Sequence, residues 1–380
     1  MAESTSEANR VNWPGKGFAI GDLQIPVPVV QGGMGIGVSA RRLAVAVARQ
    51  GGIGVMSAVG MGYLNIPCEI EPQEAENRNI TIMRQEIRKA RKETDGVLGV
   101  NIMVAIREFA ETATAAIEEG IDVIFAGAGL PLNLPSCLKE GSKTKLVPII
   151  SSAKAARLIA KRWMTKYNYV PDAFVLEGPK AGGHLGFSAE QIDHPDYQLE
   201  ALIPQVAEAV REIEAETGKT IPIIAGGGIF TGTDIYEALS LGADAVQMAT
   251  RFVATEECDA DEAFKQAYVN CTKDDIDIIE SPVGLPGRAI RNEFLVKAKR
   301  GLKHPKVCAR HCITTCKEEA SPYCISSALL NAVHGRLEEG FAFIGANGYR
   351  IQSVTTVPAL MRELADGYRE RMAQKQEEIQ

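Results

Sequence analysis

The sequence predicts a TIM (β/α)8 barrel followed by a smaller, mainly helical subdomain that bears a cluster of cysteines. Three observations support this reading. Eight short runs rich in Val and Ile alternate with helical segments, the pattern of a parallel sheet covered on both faces. These units occupy about 225 residues, a barrel's worth of chain. The first glycine loop, Gly33-Met34-Gly35-Ile36-Gly37, lacks the GxGxxG spacing that an open dinucleotide-binding sheet needs.

The elements follow in order. Residues 1–22 read as a polar arm with a Trp13-Pro14-Gly15 turn. Val27–Val30 is the first strand and runs into Gln31-Gly32-Gly33-Met34-Gly35. Ser39 is a suitable N-cap for a helix over 40–50, which Gly51-Gly52 ends. Strands are expected at 53–57, 97–103, 121–125, 145–150, 173–176, 221–225 and 243–248, each short and β-branched. Helices are expected at 108–119, 153–166, 198–216 and from Thr233 or Asp234 to Leu241. A basic helix of about fifteen residues around Met83, Ile87 and Ala90 fills the second connection. After about residue 255 the repeat stops. A polar stretch (256–275), a Pro/Gly loop (281–288), the cysteine cluster, a helix near 326–338 and a closing helix from Pro358 follow. The resulting division is an arm (1–22), a barrel (23–256), a subdomain over the barrel mouth (257–373) and a polar tail (374–380).

Composition excludes several function classes. The 380 residues carry a net charge of −7 with the two signs interspersed, so nothing favours nucleic acid or an anionic membrane. The N-terminus has no apolar core of a secretory signal, and no apolar run approaches a membrane span. Eight cysteines without such a signal point to a reducing compartment, here the cytoplasm.

Chemistry concentrates at the strand ends. The sixth strand leads into Glu177-Gly178-Pro179-Lys180-Ala181-Gly182-Gly183-His184-Leu185-Gly186. Glycine lets the backbone approach a ligand closely, and histidine titrates nearest neutral pH. His184 is therefore a candidate acid–base group facing a flat ligand. Gly226-Gly227-Gly228 precedes a helix, so its amides can face an anion. The loop after the eighth strand supplies a partner, Gln247-Met248-Ala249-Thr250-Arg251, as phosphate sites on barrels commonly require.

Six motifs in order, QGGMG, GVNIM, FAGAG, GPKAGGHLG, IIAGGGI and AVQMATRF, resemble the nitronate monooxygenase (2-nitropropane dioxygenase) family of FMN-dependent TIM barrels. That family is related to the flavin-dependent enoyl-acyl-carrier-protein reductases. The resemblance implies FMN, with Gly33 and Met34 beside the ring, Asn101 hydrogen-bonded to it and Gly183 against it. It further implies that Gly227, Gly228, Ala249 and Thr250 hold the phosphate and that His184 faces the substrate. Glu177, Lys180 and Leu185 stand where the monooxygenase pattern carries Gln, Glu and Arg. The first expectation is oxidation of alkyl nitronates or nitroalkanes with His184 as acid–base group. The alternatives are an NAD(P)H-dependent reductase of enoyl thioesters or other activated alkenes, and a flavin and iron–sulfur electron-relay component of a complex. A small-molecule substrate, an NAD(P)H or electron-transfer partner and a homodimer are expected.

Cys308, Cys312, Cys316 and Cys324 have the spacing C-x3-C-x3-C-x7-C with His311 among them. Four thiolates suit an iron–sulfur cluster or zinc. An FMN neighbour favours the iron–sulfur cluster, and zinc or a plain set of thiols are the alternatives.

Overall fold

The structure, a computed structural model, describes residues 10–64, 72–305, 308 and 312–379. The barrel strands are β3 (Val29–Gln31), β4 (Gly54–Ser57), β5 (Leu98–Met103), β6 (Val123–Gly127), β7 (Lys145–Ile150), β8 (Phe174–Glu177), β10 (Ile223–Gly226) and β11 (Ala245–Met248). They form one eight-stranded sheet in the order β3-β11-β10-β8-β7-β6-β5-β4, and every pairing is parallel. A parallel bridge between Val30 and Ile53 brings the two outer strands together. The expected barrel is present.

Alternation along the strands builds two cores. Val123 and Phe125 join Val30, Val55, Val147, Val175 and Ile224 inside the barrel. Ile124 and Ala126 point the other way and pack with the helices, as the period of two requires. Those helices are α1 (Arg41–Arg49), α2 (Pro72–Glu93), α3 (Phe109–Glu118), α4 (Ala153–Tyr167), the one-turn α5 (Ala189–Ile192), α6 (Leu199–Thr217) and α7 (Gly232–Ser240). The basic helix expected around Met83 is longer than the apolar spacing suggested, because α2 runs for 22 residues. Its polar face forms ion pairs with neighbours, including Arg84 with Glu119 and Arg91 with Asp122.

Two caps differ from the sequence reading. Ser39 does not cap α1; its hydroxyl accepts from the Met34 amide instead. Asp259, distant in sequence, accepts from the amides of Ala40, Arg42 and Leu43. At α7 the N-cap is Thr231, which closes a capping box with Asp234. The N-terminal region also holds more structure than a polar arm. The hairpin β1 (Phe18–Ile20) and β2 (Leu23–Ile25) contributes Phe18, Ile20 and Ile25 to the barrel interior.

The C-terminal region contains α8 (Thr250–Val253), α9 (Glu262–Val269), α10 (Glu293–Lys299), α11 (Ile325–Val333) and α12 (Val357–Ile379). It also holds a hairpin that its charged composition hid, β12 (Ile276–Glu280) with β13 (Pro286–Ile290). The strand β13 pairs with β9 (Gly183–His184), the glycine loop of the barrel. The largest helix contact of the region is α12 against α7. Among the described residues, no helix is long and apolar enough to cross a membrane.

The tightest helix–strand approach is at Gly54, where an added Cβ would lie 1.8 Å from the carbonyl oxygen of Ala44. Gly54→Ala is expected to cost about 1–3 kcal/mol, read as a lower urea midpoint with unchanged slope.

Candidate active site

A cavity of about 220 Å³ opens at the C-terminal ends of the barrel strands, where barrels place their sites. Gly33, Met34, Asn101, Gly183, His184, Ala249 and Thr250 all line it. The structure therefore gathers seven of the nine expected flavin and acid–base residues on one wall. Gly227 and Gly228 are not on that wall. They have φ of 99° and 94°, conformations that glycine tolerates.

The wall is shaped for a flat polar ligand. A Cβ on Gly33 would lie 2.3 Å from the Asn101 Cβ, so glycine is what lets Asn101 reach the cavity. At Gly183, with φ of 80°, an added Cβ would meet nothing within 4 Å. The carboxamides of Asn101 and Gln247 and the carboxyl of Glu177 reach the same cavity. Each lacks a hydrogen-bond partner among the described residues, which is unusual for half-buried polar groups. Three unpaired polar groups around a glycine-lined face fit a heteroaromatic ring with polar edges.

The far end suits a phosphate. The Thr250 hydroxyl accepts from the Gly345 amide at 3.0 Å and keeps its own proton to donate. Asn347 Nδ2 donates to the Gly228 carbonyl at 2.5 Å. An added Cβ on Gly228 would lie 2.9 Å from the Lys180 Cβ, which brings the Lys180 side chain alongside this turn. The Lys180 carbonyl accepts from the Ala346 amide at 3.0 Å. A loop from the C-terminal region thus covers the glycine turn that the sequence singled out.

His184 is held from the same region. Its Nε2 lies 2.7 Å from Ser281 Oγ, and its ring meets Phe343 edge-on at 5.0 Å. Burial pushes the imidazole down to about 4, so it is neutral at physiological pH. Burial pushes the Glu177 carboxyl the other way, up to about 7. Arg288, 6% exposed, donates to the carbonyls of Pro179 and Ala181 at 2.5 and 2.7 Å and fixes the loop before His184. Ser281, Phe343, Tyr268 and Arg288 escaped the sequence reading, because nothing local ties them to the barrel. Glu177 and Gln247 were readable as strand-end residues but were not assigned to the site.

The four clustered cysteines do not join this cavity. Cys308, Cys312, Cys316 and Cys324 line a second, smaller one that shares Ile313, Ile325 and Ser326 with the first. Among the described residues, no group of three or more His, Cys, Asp or Glu side chains is arranged to hold a metal. The expected centre is thus not formed in this arrangement. Cys312 lies 2.9 Å from Ser326 Oγ and Cys316 lies 3.4 Å from Ser321 Oγ, so both thiols point at hydroxyls. His311 lies outside the described residues.

The two shifted groups oppose each other in stability. An unfolded histidine takes up a proton below about 6.5, but folded His184 does not until about 4. That term lowers stability as pH falls through this window. Glu177 stays protonated in the fold up to about 7, so its term lowers stability as pH rises from about 4.5. Glu177→Gln is expected to raise the unfolding free energy of the flavin-free protein at pH 8 by about 2–3 kcal/mol, with little change below pH 4.5. Urea unfolding at both pH values checks this.

The chain is similar along most of its length to several known proteins. A dehydrogenase from Mycobacterium tuberculosis, named for (3aS,4S,5R,7aS)-5-hydroxy-7a-methyl-1-oxo-octahydro-1H-indene-4-carboxyl-CoA, is 30% identical over 279 residues, 73% of this chain and 67% of that protein. The matched stretch thus spans about two-thirds of that relative's length. A probable nitronate monooxygenase from Staphylococcus aureus is 25% identical over 72% of this chain and 78% of its own. The solved structure of FabK from Thermotoga maritima superposes with a TM-score of 0.71 at 27% identity, over 93% of this chain and 96% of that one. The nitronate monooxygenase family model matches residues 17–367. A strand-end cavity with this glycine-lined wall, matched along nearly the whole chain, places the protein in the nitronate monooxygenase family, as a flavin-dependent oxidoreductase.

Proposed function

We propose that the cavity binds FMN and acts on a neutral, carbonyl-activated substrate, an enoyl thioester or a comparable alkene, with NAD(P)H as the electron source. The observation that carries this reading is the lack of a cationic side chain on the wall. It presents the Glu177 carboxyl and, among the described residues, no Lys or Arg. An anionic nitronate would meet no counter-charge there, at a desolvation cost that no lining cation offsets. A neutral substrate meets no such cost. Val283, Ile325, Leu329, Phe343 and Ile344 line the same cavity and suit an apolar acyl body. The carboxyl-CoA thioester for which the Mycobacterium relative is named supports the same class.

Bound FMN would supply hydride exchange at its ring. The chain does the rest. Gly33, Met34 and Gly183 would flank the ring, and Asn101 would hydrogen-bond its edge. Backbone amides at Gly227, Gly228 and Ala249, with the Thr250 hydroxyl, would hold the phosphate. His184 presents a neutral imidazole beside the substrate space. Such a group can donate a hydrogen bond to a carbonyl oxygen without adding net charge, and can exchange a proton at the adjacent carbon. Phe343 and Tyr268 help exclude water from that space.

A second reading, nitronate oxidation, draws on the family and on His184. One observation gives it a condition. Glu177 is neutral only below about 7, so an anionic substrate would bind better on the acid side. Nitronate turnover, if that is the activity, is expected to fall as pH rises through 7.

Anaerobic rapid mixing separates the two. NADPH is expected to bleach the bound flavin, and propyl-2-nitronate is not; the opposite pair of results would overturn the thioester reading. His184→Asn is expected to keep FMN and to lower kcat/KM by about 100-fold or more. Full turnover in that variant would remove His184 from the chemistry.

A further inference from the structure

The β12–β13 hairpin brings Ser281, which follows β12 directly, to the ring of His184. Its turn is held at several points. The Ser281 amide donates to the Leu285 carbonyl at 3.2 Å, and the Ser281 carbonyl accepts from the Gly284 amide at 2.8 Å. Gly287 of β13 pairs with His184, and the Leu185 amide donates to the Pro286 carbonyl at 2.8 Å. One hairpin therefore fixes both the backbone of His184 and the partner of its side chain. Ser281 is 8% exposed and stands outside the cavity lining, whereas His184 is part of it.

We propose that Ser281 is a positioning residue that holds His184 as the Nδ1–H tautomer, so that the imidazole meets the substrate as a hydrogen-bond donor. One hydroxyl decides this. Ser281 Oγ accepts from the Val283 amide at 3.3 Å and lies 2.7 Å from His184 Nε2. Among the described residues, the hydroxyl proton has no acceptor other than Nε2. If Nε2 carried the ring proton, Oγ would accept twice and its own proton would be buried without a partner, which buried polar groups avoid. With Nε2 bare, Oγ–H donates to it and both atoms are satisfied. A neutral imidazole carries one ring proton, and that proton is then on Nδ1. Nδ1 has no partner among the described residues, and the edge contact with Phe343 at 5.0 Å restrains the ring.

The substrate side of this inference rests on the thioester reading; the tautomer itself does not. A donor at the thioester carbonyl oxygen stabilises the negative charge that builds there during reduction. The contact adds no net charge and transfers no proton. Deprotonating a nitroalkane would instead call for a ring lone pair aimed at the substrate carbon. In His184 that lone pair faces Ser281.

The test uses the flavin-loaded full chain with isotope-labelled histidine and reads the ring nitrogen resonances near neutral pH. His184→Asn identifies the signals of His184 among the five histidines. The wild type is expected to show a protonated Nδ1 and a bare Nε2. Ser281→Ala is expected to mix the two tautomers, so that the two resonances move toward each other. Ser281→Thr, which keeps the hydroxyl, is expected to restore the wild-type pattern. With crotonyl-CoA and NADPH, Ser281→Ala is expected to lower kcat by about 10-fold, a loss common for partners that orient a histidine, with a smaller change in KM and recovery in Ser281→Thr. A wild type protonated at Nε2, or a Ser281→Ala ring that stays wholly Nδ1-protonated, would overturn the proposal. If Ser281→Ala does not fold, Ser281→Cys, a weaker donor, takes its place in the same comparison. Absence of crotonyl-CoA turnover would count against the thioester reading alone, and the nitrogen spectra still decide the tautomer.

Discussion

The active-site region depends on one buried cation. Arg288 lies within β13, almost without solvent contact, and binds the carbonyls of Pro179 and Ala181. Burying a guanidinium is costly unless its donors are satisfied, and burial does push its pKa down. Among the described residues, Asp193 is the charged group that acts the other way on it. Two charge-assisted bonds to the glycine loop offset that cost, and they do so only when the C-terminal hairpin lies against the barrel. The same docking aligns β13 with β9, brings Ser281 to His184 and sets Phe343 against its ring. Geometry around the histidine is thus a by-product of how one charge is accommodated.

That dependence explains what the sequence disclosed. The barrel was legible because each strand and helix is specified locally, by β-branched runs, glycine stops and a period that changes between elements. The cavity residues at strand ends were legible for the same reason: once the strands are placed, Gly33, Asn101, Gly183, Ala249 and Thr250 follow from chain order. The family resemblance added roles to those positions. What stayed hidden was every long-range partner. Ser281 reads as part of a Pro/Gly loop, and β12, Ile276-Asp277-Ile278-Ile279-Glu280, carries charges that mask a strand. Asp259 gives no sign that it caps a helix more than two hundred positions earlier. The cysteines were legible as a group but not as a formed centre, since thiol direction is set by serines that spacing does not reveal.

The cavity is also an exercise in neutrality. Its imidazole and its carboxyl are both displaced toward their uncharged forms by loss of water, so near pH 7 the wall carries little net charge. Electrostatics inside such a space are governed by dipoles: the carboxamides of Asn101 and Gln247, the amides of the glycine turns and the Thr250 hydroxyl. Preorganised dipoles stabilise charge that develops during reaction without the penalty of holding a full charge at rest.

The capping of α1 by Asp259 and the covering of Gly228 by Asn347 have a consequence for biosynthesis. The barrel strands leave the ribosome first, yet the helix end that Asp259 completes and the walls that shelter His184 arrive with the last third of the chain. A nascent barrel therefore waits with an apolar mouth open to solvent. Such transiently exposed surface invites association with other chains. The order of synthesis makes the C-terminal region both a wall of the strand-end cavity and the element that ends this period of exposure.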